Sequence, residues 1–537
     1  MKEIIYIQAG ELSNYTGTHF WNTQESYFTY GDDEDPLTSH DISFREGLSS
    51  KGEPTLCPRL LAFDRKANFG TLSRTNALLA SQEVQPVDED VPILWNGDVT
   101  EYRQDLIASS AYQTRMEEQS DDLSPGSDSN NRLSQPMDQA TGNVRYWSDF
   151  NRVYYIPRTI QRLPDPSEWE SPEGGWLKGQ ETFSRYNEDA ELMEGSLRLL
   201  LEECDSIQGI QVVNDTETFG AFTSSLLTSI RDEFIKLPSL VFPLLSSTTS
   251  QKIDVDDYQG TRKAINDALY LRSMTELSSL TIPIQSPSNW SNKAWNQALS
   301  PERNSLYHQS AILSAHIETA TLPLRLKNTR EDLASLSAQL NWRETTPFGE
   351  LSGVFPATFP STLGRDITNF SAPQGSKDAQ QFARRDVTRG FSLSGIAEYD
   401  RWSGSLSSPP DSFVLRFHTA SYPLPTSFPH FFRTLESTTP AARDHASAAA
   451  RTANLNLPSA QMLSSVAVAD ATACLFFEQA KFVENCTRTR SSAVISTGID
   501  IDDLKGLAND LWVIYDNFAE GTSEDKGNDV SLGEDEE

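Results

Sequence analysis

Cysteine is scarce in this chain. Its 537 residues hold Cys57, Cys204, Cys474 and Cys486, none of them spaced as C-x-x-C. That spacing excludes a disulfide framework and a thiolate zinc site, and it suits a reducing compartment. Basic residues are also few: 44 Lys and Arg stand against 76 Asp and Glu, a formal charge of -32. A phosphate backbone needs the opposite balance, so the composition argues against nucleic acid as a direct ligand and disfavours adsorption to anionic lipid. No run of about 18 apolar residues occurs, so no membrane span is expected. The first residues enter an apolar strand directly, without the pattern of a cleavable targeting peptide, and none is expected. The motifs G-x-x-x-x-G-K-[ST], H-E-x-x-H and G-x-S-x-G are missing, which removes the chemistries they carry.

What is present points to a folded α/β protein. The length allows two or three domains with sizeable cores. Apolar runs recur at Ile4 to Ile7, Leu60 to Asp64, Ile210 to Val213, Leu240 to Leu245, Leu280 to Ile284 and Leu322 to Leu326. Continuous runs of this kind are what parallel strands buried on both faces look like. Between them, Glu191 to Cys204 and Phe222 to Phe234 carry leucines at helical spacing. Gly31 to Ser50 reads as an acidic, turn-rich insertion, and Met116 to Thr141 as a disordered polar loop. Thr345 to Phe428 is rich in Pro, Gly and Ser, and its pattern assigns no fold.

The most specific signal is MKEIIYIQAGELSNYTGTHFW, residues 1–21. A strand runs into Gln8-Ala9-Gly10 and a helix start follows, the way a nucleotide-binding α/β domain opens. Glu3, Ile4, Gln8, Ala9, Gly10, Asn14, Gly17, Phe20 and Trp21 fall in register with the opening of tubulin, which this segment resembles. Pro58 to Asp64 is similar to tubulin's second strand. Cys204 to Gly209, Phe222 to Leu227, and Asn509-Asp510-Leu511 with Tyr515 match later tubulin motifs. His40 to Arg45 and Tyr146 to Phe150 narrow the resemblance to the Misato family of tubulin-like proteins.

The resemblance implies a tubulin-like doubly wound N-terminal domain, an α+β intermediate domain and C-terminal helices. On that basis residues 1–115 and 142–265 form the nucleotide-binding-type domain around an insertion at 116–141. Residues 266–440 form the intermediate domain, 441–519 the helical region and 520–537 an acidic tail. It further implies a role in mitochondrial partitioning, morphology and mitochondrial DNA inheritance, from the cytoplasm and the outer face of the mitochondrion. Protein partners there, or tubulin or a chaperonin, go with that role.

The resemblance also locates a nucleotide site, degenerate in this chain, at Gly10, Glu11, Leu12, Asp64, Thr218 and Gly220. Tubulin's phosphate grip, G-G-G-T-G-S-G, aligns with Asp215 to Ala221, where one displaced glycine and Thr218 remain. Glycines let backbone amides approach phosphate oxygens. A carboxylate about 5 Å from a phosphate charge costs roughly 3 kcal/mol at an effective dielectric near 20. The expectation is therefore no cofactor and no enzyme activity. GTP remains open, with Mg²⁺ held through Glu11 and with Arg65 and Lys66 supplying charge. Tubulin's polymer-completing motif resembles Leu324-Arg325-Leu326 followed by Asp332-Leu333, but its catalytic glutamate falls at Ser335, so Asp332 reads as a helix cap. The resemblance thus implies a non-enzymatic tubulin-like scaffold or adaptor; the alternatives are a GTP-binding switch or filament-forming GTPase with a rebuilt phosphate loop, and a cytosolic cofactor in folding or assembling tubulin-like proteins. Gly390 to Gly395 is a near miss to a nucleophile elbow; His40 beside Asp41 reads as a loop hydrogen bond, and His418 and His430 as packing residues. The helix Asp502 to Phe518 should pack its apolar side inward and offer its acidic side to a partner.

Overall fold

The computed structural model describes residues 2–28, 36–48, 54–72, 107–108, 110–114, 144–165, 174–248, 253, 257–290, 305–341, 344–357, 366–373, 381–406, 413–429 and 459–523. The loop expected at 116–141, His430 and the tail beyond Ser523 lie outside them.

Ile4 to Ile7 become the centre of β1 (Glu3–Ala9), every residue of which is buried. Helix α1 (Glu11–Glu25) follows, then the hairpin of β2 (Phe44–Leu48) and β3 (Pro54–Pro58). Next come β4 (Leu60–Arg65), β5 (Ile160–Leu163), α2 (Trp176–Ala190), α3 (Arg198–Glu202) and β6 (Ile207–Asp215). Helix α4 (Thr216–Glu233), β7 (Ser239–Leu244), α5 (Tyr258–Leu277) and β8 (Leu280–Thr281) complete the unit. The six strands of its sheet pair in parallel in the order β5-β4-β1-β6-β7-β8. Tyr6 is in register with Leu60 and Ala9 with Phe63. Three positions apart on a pleated strand means opposite faces. Accordingly Tyr6 meets Phe20 and Trp21 of α1, while Phe63 meets Tyr186 of α2 and Phe222 of α4. Helices cover both faces, which is why the strands read as unbroken apolar runs.

The second unit starts with α6 (Leu306–Thr321) and α7 (Leu333–Leu340). Strands β9 (Glu350–Val354), β10 (Thr368–Asn369) and β11 (Gln381–Arg389) follow, then α8 (Leu393–Ser405) and β12 (Phe413–Thr419). A short pair, β13 (Tyr422–Pro423) with β14 (Ser459–Ala460), leads to β15 (Met462–Ala469). The second sheet is mixed, in the order β10-β9-β15-β11-β12. Helices α9 (Asp470–Thr489), α10 (Ser492–Ile495) and α11 (Ile501–Ser523) complete the described residues. Leu504, Leu507, Leu511 and Phe518 of α11 are buried, as the spacing predicts, and Tyr515 is half-buried.

Between the two sheets lie α1 and α6, both rich in polar side chains yet buried, so each polar group needs an internal partner. Asn22 Nδ2 donates to the Phe150 carbonyl at 2.9 Å, and the His19 ring nitrogen Nε2 lies 3.0 Å from the Tyr307 carbonyl. At the end of α1 the Glu318 carboxylate, fully buried, gathers Gln24 Nε2 at 2.9 Å, Tyr27 Oη at 3.1 Å and Arg389 Nη1 at 2.9 Å. Arg389 also donates to the carbonyl of Ala420 at 2.7 Å. This network joins the first helix of one unit to a central strand of the other. Because its charges are buried, breaking it on one side is costly.

Several sequence expectations need correction. Leu322 to Leu326 is not a strand: Leu322 continues the helical backbone out of α6, and Pro323 sits in the 3-10 turn Leu322–Leu324 that follows. The run at Leu280 shortens to two strand residues, with Ile284 held only by a bridge to Leu244. Glu191 to Cys204 is not one helix. Glu191 turns left-handed at φ 47°, a π-helical segment Leu192–Leu197 follows, and α3 ends at Glu202 with Leu199 exposed. The acidic insertion at 31–50 contains β2, and the unassigned stretch 345–428 supplies β9 to β12. The region 441–519, expected to be helical, also contributes β15, which lies between β9 and β11.

Candidate functional site

From β1 the chain builds outward to β4 and β5 on one side, and from β6 to β7 and β8 on the other. The order reverses between β1 and β6, and open α/β sheets take ligands past the carboxyl ends of the strands at that reversal. Here those ends are Ala9-Gly10 and Asn214-Asp215.

Gly10 precedes α1 with φ 107° and ψ 166° and donates its N–H to the Phe63 carbonyl at 3.1 Å. A Cβ at Gly10 would lie 2.5 Å from Asp215 Oδ2. Both the backbone conformation and the space demand glycine. Asp215 ends β6, and its carboxylate crosses to the neighbouring helix. Oδ2 accepts the Leu12 N–H at 3.0 Å and Oδ1 the Ser13 N–H at 2.9 Å. The first amides of a helix have no partner within it and carry the positive end of its dipole. They form an anion site, and in this chain a side chain of the same molecule fills it.

Two further carboxylates stand close. Asp64, fully buried at the end of β4, accepts from Asn14 Nδ2 at 2.9 Å, Asn68 Nδ2 at 2.8 Å and the Arg65 N–H at 2.8 Å. Glu11 lies exposed on the first turn of α1, and its pKa is raised by partial burial and then by Asp64. Burial, then Asp64, push the Asp215 pKa well above the ordinary carboxylate value; the Leu12 and Ser13 amides pull it back, and Glu11 raises it again. The crevice is an acidic environment in which one carboxylate is already held by the helix. Among the described residues, no group of three or more His, Cys, Asp or Glu side chains is arranged to hold a metal ion.

Thr218 and Gly220 are not on a loop. Residues 216–221 are the opening turns of α4, which begins directly after β6. Thr218 is half-buried on that helix. Gly220 faces Tyr270 of α5, 3.5 Å from where a Cβ would stand, and so packs against a helix. The local reason for the straight entry into α4 is Thr216, whose hydroxyl donates to the Leu244 carbonyl at 3.0 Å and to the Asp267 carboxylate. Glu217 is paired with Lys263 at 2.7 Å. Arg65 lies over the Phe219 ring, 5.9 Å from its centroid, and donates to the Pro164 carbonyl at 2.9 Å, while Lys66 is exposed. Of the six residues expected to form the site, the structure gathers Gly10, Glu11, Leu12 and Asp64 at the reversal and places Thr218 and Gly220 along α4.

Asp332 caps α7: Oδ1 accepts the Ser335 N–H at 2.8 Å, and the Ser335 hydroxyl oxygen accepts the Asp332 N–H at 3.0 Å. Lys2 Nζ pairs with its other oxygen at 2.5 Å. Ser392, in the near-miss elbow, caps α8 through the Gly395 N–H. His418 Nδ1 lies 2.6 Å from the Thr388 hydroxyl, and His40 packs edge-on against Phe28.

A model of the Misato Segment II tubulin-like domain matches residues 2–118, and a tubulin domain model matches residues 136–326. Protein DML1 of Gibberella zeae is 34% identical over 65% of this chain and 67% of its own length. Protein dml1 of Aspergillus clavatus is 31% identical over 73% of this chain and 77% of its own. The chain belongs to the Misato family of tubulin-like proteins. The animal branch is represented by Protein misato of Drosophila melanogaster, 30% identical over 70% of this chain and 68% of its own. The two matched models meet across the reversal: Gly10 and Asp64 lie in the Misato segment and Asp215 in the tubulin segment. In this Misato family member, Asp215 was legible as a hostile charge, but its role as the partner of α1 was not. Asn14 and Thr216 were missed as supports. Asn14 was visible as a match to tubulin; nothing in the spacing marked Thr216.

Proposed function

We propose that this protein is a non-enzymatic tubulin-like scaffold or adaptor acting in mitochondrial partitioning, morphology and mitochondrial DNA inheritance. It works peripherally, from the cytoplasm and the outer face of the organelle, through protein partners. Membership of the Misato family supports the mitochondrial part of this reading. No helix of the described residues is long and apolar enough to cross a membrane, which is consistent with peripheral attachment.

The non-enzymatic part rests on one observation, the Asp215 carboxylate seated on the Leu12 and Ser13 amides. A nucleotide phosphate would need the same donors and would meet Asp215, Asp64 and Glu11 as well. At about 5 Å and an effective dielectric near 20, each such charge opposes it by roughly 3 kcal/mol. Three carboxylates reduce affinity far more than the remaining backbone donors restore. Titration of the full chain with labelled GTP and Mg²⁺ tests this. The expected result is no saturable binding in the micromolar range and no release of phosphate; submicromolar binding with turnover overturns the reading.

A further inference from the structure

At the opposite end of the first sheet, near the amino ends of β1, β4, β5 and β6, the charge balance reverses. Three arginines from separate elements converge on Glu203, the residue that caps the end of α3. Arg45 projects from β2, opposite Cys57 of the hairpin. Arg59 lies between β3 and β4, and Arg158 in the turn Pro157–Thr159 that leads into β5. Arg45 Nη1 pairs with Glu203 Oε2 and Arg158 Nη2 with Oε1, one guanidinium to each carboxylate oxygen. Arg59 donates through Nη1 to the Glu203 carbonyl at 3.2 Å and to Cys204 Sγ at 3.7 Å, and through Nε to the Asp41 carbonyl at 3.3 Å.

The Glu203 carboxylate therefore pairs with two guanidiniums, and Arg59 beside them reaches backbone carbonyls and a sulfur in place of a carboxylate, in a chain whose overall charge is -32. The Nε–H groups of Arg45 and Arg158 are buried without an acceptor. A guanidinium presents five donors in a planar fork, and a buried donor left unmade is costly. Like charge is felt across the cluster, since burial and then the neighbouring Arg158 lower the Arg45 pKa. The cluster is recessed but reachable: the side chains of Arg45, Arg158 and Glu203 keep 18%, 24% and 31% of their surface exposed.

We propose that Arg45, Arg59 and Arg158 form a binding site for a single phosphomonoester dianion, with Glu203 as the intramolecular carboxylate that holds the site in its absence. Two added negative charges balance the two uncompensated guanidiniums. The planar forks match phosphate oxygens better than they match one shared carboxylate. The acidic balance of the rest of the chain repels polyanions such as nucleic acid and anionic bilayers.

The test uses the full chain and inorganic phosphate, titrated calorimetrically at constant ionic strength with chloride as the control. Wild type should bind phosphate saturably. Arg158→Gln, at the more exposed position, should lose about tenfold or more in affinity, the loss of one charged hydrogen bond. Glu203→Gln, which removes the competing carboxylate and leaves the fold's other contacts in place, should bind more tightly than wild type. A phosphoserine peptide in a parallel titration identifies the source: tighter binding than phosphate assigns a chain-borne group, and equal binding assigns the free ion. Heats equal to those of chloride, or unchanged affinity in both Arg158→Gln and Glu203→Gln, overturn the proposal.

Discussion

Replacing Asp215 by alanine separates the two tasks that its carboxylate performs. The first is structural. Two charge-assisted hydrogen bonds to Leu12 and Ser13 vanish, at 3.0 and 2.9 Å, and α1 loses the acceptor at its amino end. Loss of such a cap costs about 0.5–2 kcal/mol. Two amides left facing a partly enclosed crevice add roughly 1–3 kcal/mol if water does not reach them. Relief of repulsion from Asp64 and Glu11, which raise the Asp215 pKa, offsets part of this. The net expectation is a loss of about 1–3 kcal/mol in the unfolding of the first unit, read by urea denaturation monitored through the buried tryptophan Trp21. The second task is exclusion. With the carboxylate gone, an incoming phosphate meets one less negative charge, worth roughly 3 kcal/mol, or about a hundredfold in affinity. Labelled GTP should therefore bind Asp215→Ala measurably more tightly than wild type, though still weakly, because Asp64, Glu11 and the helical residues 216–221 remain. Equal GTP binding by both proteins, together with unchanged stability, would show that the Asp215 carboxylate neither caps α1 nor excludes phosphate.

Other consequences follow from the packing between the sheets. Glu318→Ala leaves the buried guanidinium of Arg389 without its carboxylate and should destabilise by about 3–5 kcal/mol in the same denaturation assay. Gly17→Ala would drive a Cβ to 2.0 Å from Gln8 Nε2 and should cost about 1–3 kcal/mol. Gly404→Ala in α8, with nothing within 4 Å of the new atom, should gain about 0.5–1 kcal/mol. His19 and His316 are wholly buried, and burial lowers both pKa values to about 3. Their folded pKa lies below the unfolded value near 6.5, so the unfolded chain takes up protons first on acidification. Stability should fall by roughly 1.4 kcal/mol per pH unit for each histidine as pH drops from about 6.5 towards 3. Asp267 acts in the opposite sense: burial raises its pKa to about 6, so its contribution declines as pH rises from about 4 to 6. Denaturation midpoints measured between pH 4 and 8, with His316→Phe as a comparison, read these slopes.

How much the sequence disclosed depended on the kind of interaction. The parallel strands were legible because burial on both faces writes a run of apolar residues with no alternation, as at Ile4 to Ile7 and Leu60 to Asp64. The opening turn was legible because Gly10 and its neighbours keep a dense register with a known family. The second sheet was not, because its strands are buried with charged residues in them: Arg384, Asp386 and Arg389 of β11 are all inaccessible to solvent. These residues read as surface until their partners, far along the chain, are brought to them. The same holds for α1, whose polar residues mimic an exposed helix while Asn14, Asn22 and Gln24 each bond inward. At the crevice, charge counting showed that Asp215 is unfavourable to phosphate. It could not show that this carboxylate reaches the Leu12 amide, 203 positions earlier in the chain.

The central question is whether a carboxylate of this chain has replaced the nucleotide at the head of α1. Mass-spectrometric analysis of small molecules released from the gently purified, unmutated protein measures that directly. With Asp215 seated on the Leu12 and Ser13 amides no guanine nucleotide is expected; a stoichiometric amount of GTP or GDP released on denaturation contradicts that replacement.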